Sequence, residues 1–91
     1  GISAWVAVAE TARSWGLPVS PHYIEPIHVH LAAAFPNVPH VEHHSTVLDN
    51  VITSPLELDD GAFRPSEEAG HGVQFHGIAD YFISGDDSVV D

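Results

Sequence analysis

Cysteine is missing from all 91 residues, so no disulfide framework and no thiol chemistry are available. Basic residues are nearly missing: 2 stand against 13 acidic ones, a formal charge of −11. Binding to nucleic acid neutralises phosphates with Lys and Arg, so that class of function is disfavoured. Otherwise an anionic surface speaks only of solubility. Long apolar runs are missing too. Nothing reaches the roughly 20 residues of a membrane span, and no stretch has the layout of a secretory leader. The expectation is a soluble, cytoplasmic protein whose partners include neither nucleic acid nor membrane.

What is present is a series of helix–strand units. Ser3 can cap a helix reaching about Trp15, with Trp5, Val8, Ala9, Ala12 and Trp15 on one face. Gly16 suits the position just past its end. Leu17-Pro18-Val19 reads as a short strand, brief or irregular because of its proline. Ser20-Pro21-His22 follows, then a helix opened by Glu25-Pro26 and stopped by Pro36-Asn37. Its inner stripe is predicted as Ile27, Leu31 and Ala34. A second short strand, His40-Val41, delivers Glu42.

Beyond Glu42 the pattern changes. Residues 43–50 read as loop with at most a helical turn. Leu56-Glu57-Leu58 alternates like a strand, Asp59-Asp60-Gly61 is a turn, and Ala62-Phe63-Arg64 can return as its partner. Residues 67–72 are polar and Gly-rich, hence loop, and Val73-Gln74-Phe75 is a further short strand. Residues 78–83 are ambiguous between helix and strand, and 85–91 are expected to be mobile. The division is therefore residues 1–50, helix–strand units, and residues 51–91, strands and tail. Helix–strand units need parallel strands on either side. A complete eight-unit barrel takes about 250 residues. The expectation is that this chain is the C-terminal portion of a longer protein.

The composition is richest in chemistry at its 8 histidines. His28 and His30 form an H-x-H. On a strand both would share one face and suit a metal. On the helix that Pro26 and the alanine run favour, they point about 200° apart. His40, Glu42 and His44 would share a strand face, or else form a strand end passing into a solvated loop. His22 and Glu42 stand out by position. Each follows a strand, and 20 residues separate them, about one β/α unit. Adjacent parallel strands lie roughly 4.8 Å apart, so groups at their C-terminal ends can reach one ligand. A histidine moves protons near neutral pH. A carboxyl beside it donates to a substrate oxygen if protonated and accepts if not. The plain alternative is a histidine ending a strand and a glutamate on a surface loop.

Ser20-Pro21-His22, His30-Leu31-Ala32-Ala33-Ala34, Pro36-Asn37 and Glu42, in that order, resemble the last two β/α units of the mandelate racemase branch of the enolase superfamily. The tail is also similar to that family's ending: Leu56-Glu57-Leu58, Asp60-Gly61, Pro65, then Ala69-Gly70-His71-Gly72-Val73. The family's usual Pro-Gly-Leu-Gly is altered there.

The resemblance implies an α/β fold: the C-terminal fragment of a modified (β/α)₇β TIM-like barrel, with a C-terminal segment packing toward an N-terminal α+β capping domain. It implies Mg²⁺ as cofactor, its ligands upstream of Gly1 and none in this chain. The aspartate that pairs with the histidine would also lie upstream. His22 matches the family's general base or acid. Glu42 matches the glutamate that hydrogen-bonds the substrate carboxylate or the enediolate. Substrate contact is expected from His22, Glu42 and His44, the last standing in a His43-His44 pair after the glutamate. The implied activity is proton abstraction next to a carboxylate, giving dehydration of a sugar acid, with racemisation or epimerisation as the alternative. A non-catalytic His-rich metal-binding or assembly protein is the alternative of another class. The expected partners are a small-molecule carboxylate, the rest of the polypeptide and further copies in a homo-oligomer. The 91 residues alone are expected to be inactive.

Overall fold

A computed structural model describes residues 1–44 and 47–77 of the chain. The ambiguous element at 78–83 and the tail at 85–91 lie outside the described residues. Two α-helices carry the architecture: α1 over Ile2–Ser14 and α2 over Glu25–Ala34, with a 3-10 turn at Val47–Asn50.

The end of α1 follows directly from Gly16. Its φ of 68° is the left-handed conformation that glycine adopts without a Cβ penalty. The Gly16 N–H donates to the Arg13 carbonyl at 3.0 Å and the Leu17 N–H to the Ala12 carbonyl at 2.9 Å, the paired bonds of a Schellman motif. The other end differs from expectation. Gly1, not Ser3, is the N-cap, and Ser3 lies inside the helix. The apolar face is also incomplete. Ala9 is fully buried, but Val8 and Trp15 are exposed.

In α2, Glu25 occupies the first helical position and Pro26 the second, where its missing N–H costs nothing. The helix stops when Phe35 turns extended, as a residue before proline must. Its buried residues are Glu25, Pro26 and Val29, so the predicted stripe of Ile27, Leu31 and Ala34 is rotated. Trp5 of α1 meets Phe35 edge-on at 5.6 Å between ring centroids.

The two helix–loop units are joined by Asn37. Its side-chain amide donates to the carbonyls of Ala9 and Leu17, both at 3.1 Å. Its own carbonyl accepts the Val19 N–H at 2.8 Å. Leu17-Pro18-Val19 and His40-Val41, expected as strands, form no ladder. Proline is the local reason. Pro18 removes a donor from the first segment and Pro39 one immediately before the second, and a parallel ladder needs evenly spaced bonds along each edge.

The C-terminal strands are likewise reduced to isolated bridges. Asp59 and Ala62 exchange backbone bonds at 2.9 and 3.0 Å across Asp60 and Gly61. Both central residues have positive φ, 51° and 78°, which makes a type I′ hairpin turn. The expected turn is there; the flanking strands are not. Ile52 pairs with Phe75, so the Val73-Gln74-Phe75 segment finds a partner at 51–53. Beside Pro21 and Pro26, the buried apolar residues among the described ones are Ala9, Val29, Val51 and Ile52, and no large side chain is fully buried among them. The radius of gyration is 15.6 Å, against about 12 Å for a compact domain of this length.

Candidate active site

The loop between Val19 and α2 sets the site. Tyr23 and Ile24 both adopt the left-handed conformation, with φ of 58° and 47°. For a β-branched isoleucine this is a costly backbone state, and such states persist only where surrounding contacts over-determine them. Those contacts are present. The Tyr23 carbonyl is bonded to the His28 ring through Nδ1. The Tyr23 N–H donates to Glu42 Oε2 at 2.8 Å. Two left-handed residues in succession turn the chain so that His22, just before them, and Glu25, just after them, both reach the segment at 42–44.

Glu42 is the centre of that meeting. His22 Nε2 lies 3.9 Å from Glu42 Oε2. His44 Nε2 lies 2.9 Å from Oε1, at an angle poor for a hydrogen bond, so the contact is an ion pair when His44 is charged. The His44 ring also stacks edge-on against Tyr23 at 5.4 Å. The Tyr23 N–H above all, then the His44 ring and more weakly the His22 ring, hold the Glu42 carboxyl below the ordinary glutamate range, against a smaller opposing effect of desolvation. In the ligand-free site Glu42 is thus an acceptor. The His22 side chain is 88% exposed.

The three residues singled out in the sequence therefore come together: His22, Glu42 and His44. The other histidines do not join them. His28 turns to the Tyr23 carbonyl, and His30 Nε2 meets the His71 carbonyl at 2.9 Å, so the H-x-H pair serves two separate backbone contacts. His30 thereby ties α2 to the altered glycine turn of the tail.

Sequence reasoning missed Glu25, taken only as a helix opener. It is 4% exposed. Its Oε1 accepts the His44 N–H at 3.1 Å and lies 3.4 Å from His43 Nδ1. Its Oε2 is buried without a hydrogen-bond partner among the described residues. A signal did exist: Glu25 is the acidic residue nearest His22, and it precedes a proline that fixes it at the helix start.

Among the described residues no three His, Cys, Asp or Glu side chains converge to hold a metal ion. The oxygens of Glu42 are engaged by Tyr23 and His44. These residues do not fit a Mg²⁺ site.

The family model described as enolase C-terminal domain-like matches residues 1–79. The chain belongs to that family. The motifs that resembled the mandelate racemase branch of the enolase superfamily are thereby accounted for. This enolase-like chain is 35% identical over 72 residues to L-talarate/galactarate dehydratase of Salmonella typhimurium. That stretch covers 79% of this chain and 18% of the relative, so the chain spans less than a fifth of the length of the curated protein it matches. No solved structure matches the chain. No helix among the described residues is long and apolar enough to cross a membrane.

Proposed function

We propose that this enolase-like chain supplies the proton-transfer edge of an acid-sugar dehydratase built on a modified (β/α)₇β barrel, of which it forms the C-terminal part. The convergence of His22 on Glu42, at 3.9 Å, carries the reading. Dehydration is favoured over racemisation by the printed activity of the relative, L-talarate/galactarate dehydratase. In this reading the substrate is a small hydroxy acid lying across the two loop ends. His22 takes the proton α to the carboxylate. The C–H electron pair moves into the carboxylate to give an enediolate, and the β-hydroxyl then leaves with a returned proton as water. The enol so formed becomes a keto acid by taking a proton at carbon.

Glu42 serves at the oxygen end. An ionised Glu42 repels an anionic substrate, so binding must draw a proton to it before it can donate to the enediolate. His44, 2.9 Å from Oε1, is a neighbouring group able to give that proton once its ring swings into line with the carboxylate. His44 is therefore a substrate-side residue through Glu42. The Mg²⁺ that the family resemblance implies would be held by residues outside these 91.

The test uses the full-length protein with galactarate or L-talarate in deuterated water. His22→Asn should leave substrate binding intact and cut exchange of the α-proton by roughly 10²–10⁴-fold, the range for losing a positioned base. Exchange at the wild-type rate in that variant would return His22 to a structural role.

A further inference from the structure

The loop before α2 and the segment after residue 41 are joined twice, in a reciprocal pattern. The Tyr23 backbone N–H donates to the Glu42 side chain, and the His44 backbone N–H donates to the Glu25 side chain. Each pair is 19 residues apart, and two positions separate the members on either strand of the clasp. One carboxylate from each side thus satisfies a backbone donor of the other. The Glu42 half belongs to the site already described. The Glu25 half has been given no role.

Glu25 is far from a bland helix opener. A nearly buried carboxylate is expensive unless its contacts compensate it, and one of its oxygens has no hydrogen-bond partner among the described residues. The other oxygen makes both contacts: to the His44 N–H and to the His43 ring, which in turn packs on Phe63 at 5.1 Å. A helix start needs no such burial; an exposed acidic residue already serves the helix dipole. What the burial does secure is the path of residues 42–44, immediately where Glu42 and His44 must point. We propose that Glu25 is a positioning residue for the Glu42–His44 pair: it acts by reach, accepting the His44 N–H, and not by contact with substrate.

The proposal rests on the reading that Glu42 belongs to the site. Two substitutions in the full-length protein separate reach from charge. Glu25→Gln keeps an acceptor oxygen at the same distance and removes the charge. Glu25→Asp keeps the charge, suits a helix start, and shortens the reach by one methylene. The expected result is a Gln variant close to wild type. The Asp variant should lose roughly 10²-fold in kcat with KM nearly unchanged, as misplacement of a catalytic group does. The Glu42 carboxyl, followed by ¹³C NMR titration, should stay low in the Gln variant and rise toward the ordinary glutamate range in the Asp variant. A folded Asp variant with unchanged kcat and unchanged Glu42 titration overturns the proposal, as does a Gln variant impaired as much as the Asp one. Should Glu25→Asp fail to fold, the wild-type protein decides: the His44 amide must be protected from hydrogen exchange, and exchange at the rate of an open loop overturns the clasp. If wild-type protein turns over no acid sugar, the dehydratase reading fails by itself. The titration and the amide still test Glu25.

Discussion

Residues 17–44 and residues 51–77 are both mostly irregular, yet they are held by different means. In the first region the bonds run between side chains and distant backbone. Asn37 spans to Ala9 and Leu17, Glu42 to Tyr23, and Glu25 to His44. In the second most bonds are local backbone turns, such as the Asp59–Ala62 pair around Gly61, with Ile52–Phe75 as the longer bridge. The difference teaches where precision is needed. A turn fixes the direction of the chain. A side chain tied to backbone 19 or more residues away fixes one atom against another, which is what a proton-transfer pair requires.

The sharpest way to test the contrast is to remove one carboxylate from each region. Glu42→Gln in the full-length protein should lower kcat/KM by roughly 10²–10³-fold, the cost of losing one preorganised group at developing charge. Glu57→Gln, on the exposed tail segment, should leave it unchanged. Equal losses at both positions would erase the distinction between the regions as far as chemistry is concerned.

A smaller effect is expected from cutting one tie in each region. Asn37→Ala removes two side-chain hydrogen bonds and should cost about 1–2 kcal/mol in denaturant unfolding. Gly61→Ala meets open space, so only its left-handed backbone is penalised, at roughly 1–2 kcal/mol. The two should differ in reach more than in size. Asn37→Ala should also raise KM or lower kcat, because the carbonyls of Ala9 in α1 and of Leu17 both lose their tie near His22. Gly61→Ala should not. Steady-state kinetics beside unfolding curves would show an Asn37→Ala variant with native kinetics if the tie is merely local.

Acidification gives the smallest expected effect. The folded-state pKa of Glu42 is depressed, so its contribution is present above the unfolded carboxylate value and is lost as pH falls through the depressed one. Between neutral pH and about 5 the Tyr23–Glu42 contact should therefore be insensitive to pH. Hydrogen exchange of the Tyr23 amide, corrected for its intrinsic pH dependence, should accelerate only below the ordinary glutamate range. Loss of protection already near pH 6 would transfer control from Glu42 to the surrounding histidines.

Much of the site was readable because its residues carry chemistry in a fixed order. The 20-residue spacing of His22 and Glu42, the helix bounded by Pro26 and Pro36, and the Gly16 and Asp60-Gly61 stops are local properties of the chain. The short strands were less readable for an opposite reason. Alternation in Leu56-Glu57-Leu58 marks a segment able to pair, while pairing depends on a partner edge that local sequence does not specify. The buried stripe of α2 was misread because apolar spacing favoured Ile27, Leu31 and Ala34. Burial went instead to Pro26, Val29 and a charged Glu25.

By itself the sequence determined the helices, their stops and the family, because propensity, caps and proline act within a few residues. It also singled out His22, Glu42 and His44, which the structure brings together. Only the tertiary structure decided which backbone carbonyls His28 and His30 meet, that Asn37 is a tie, and that Glu25 turns inward to hold His44. Those outcomes depend on which backbone donor a side chain meets across 5 to 41 residues of chain. Such a meeting is set by the path of the fold and leaves no periodicity to read.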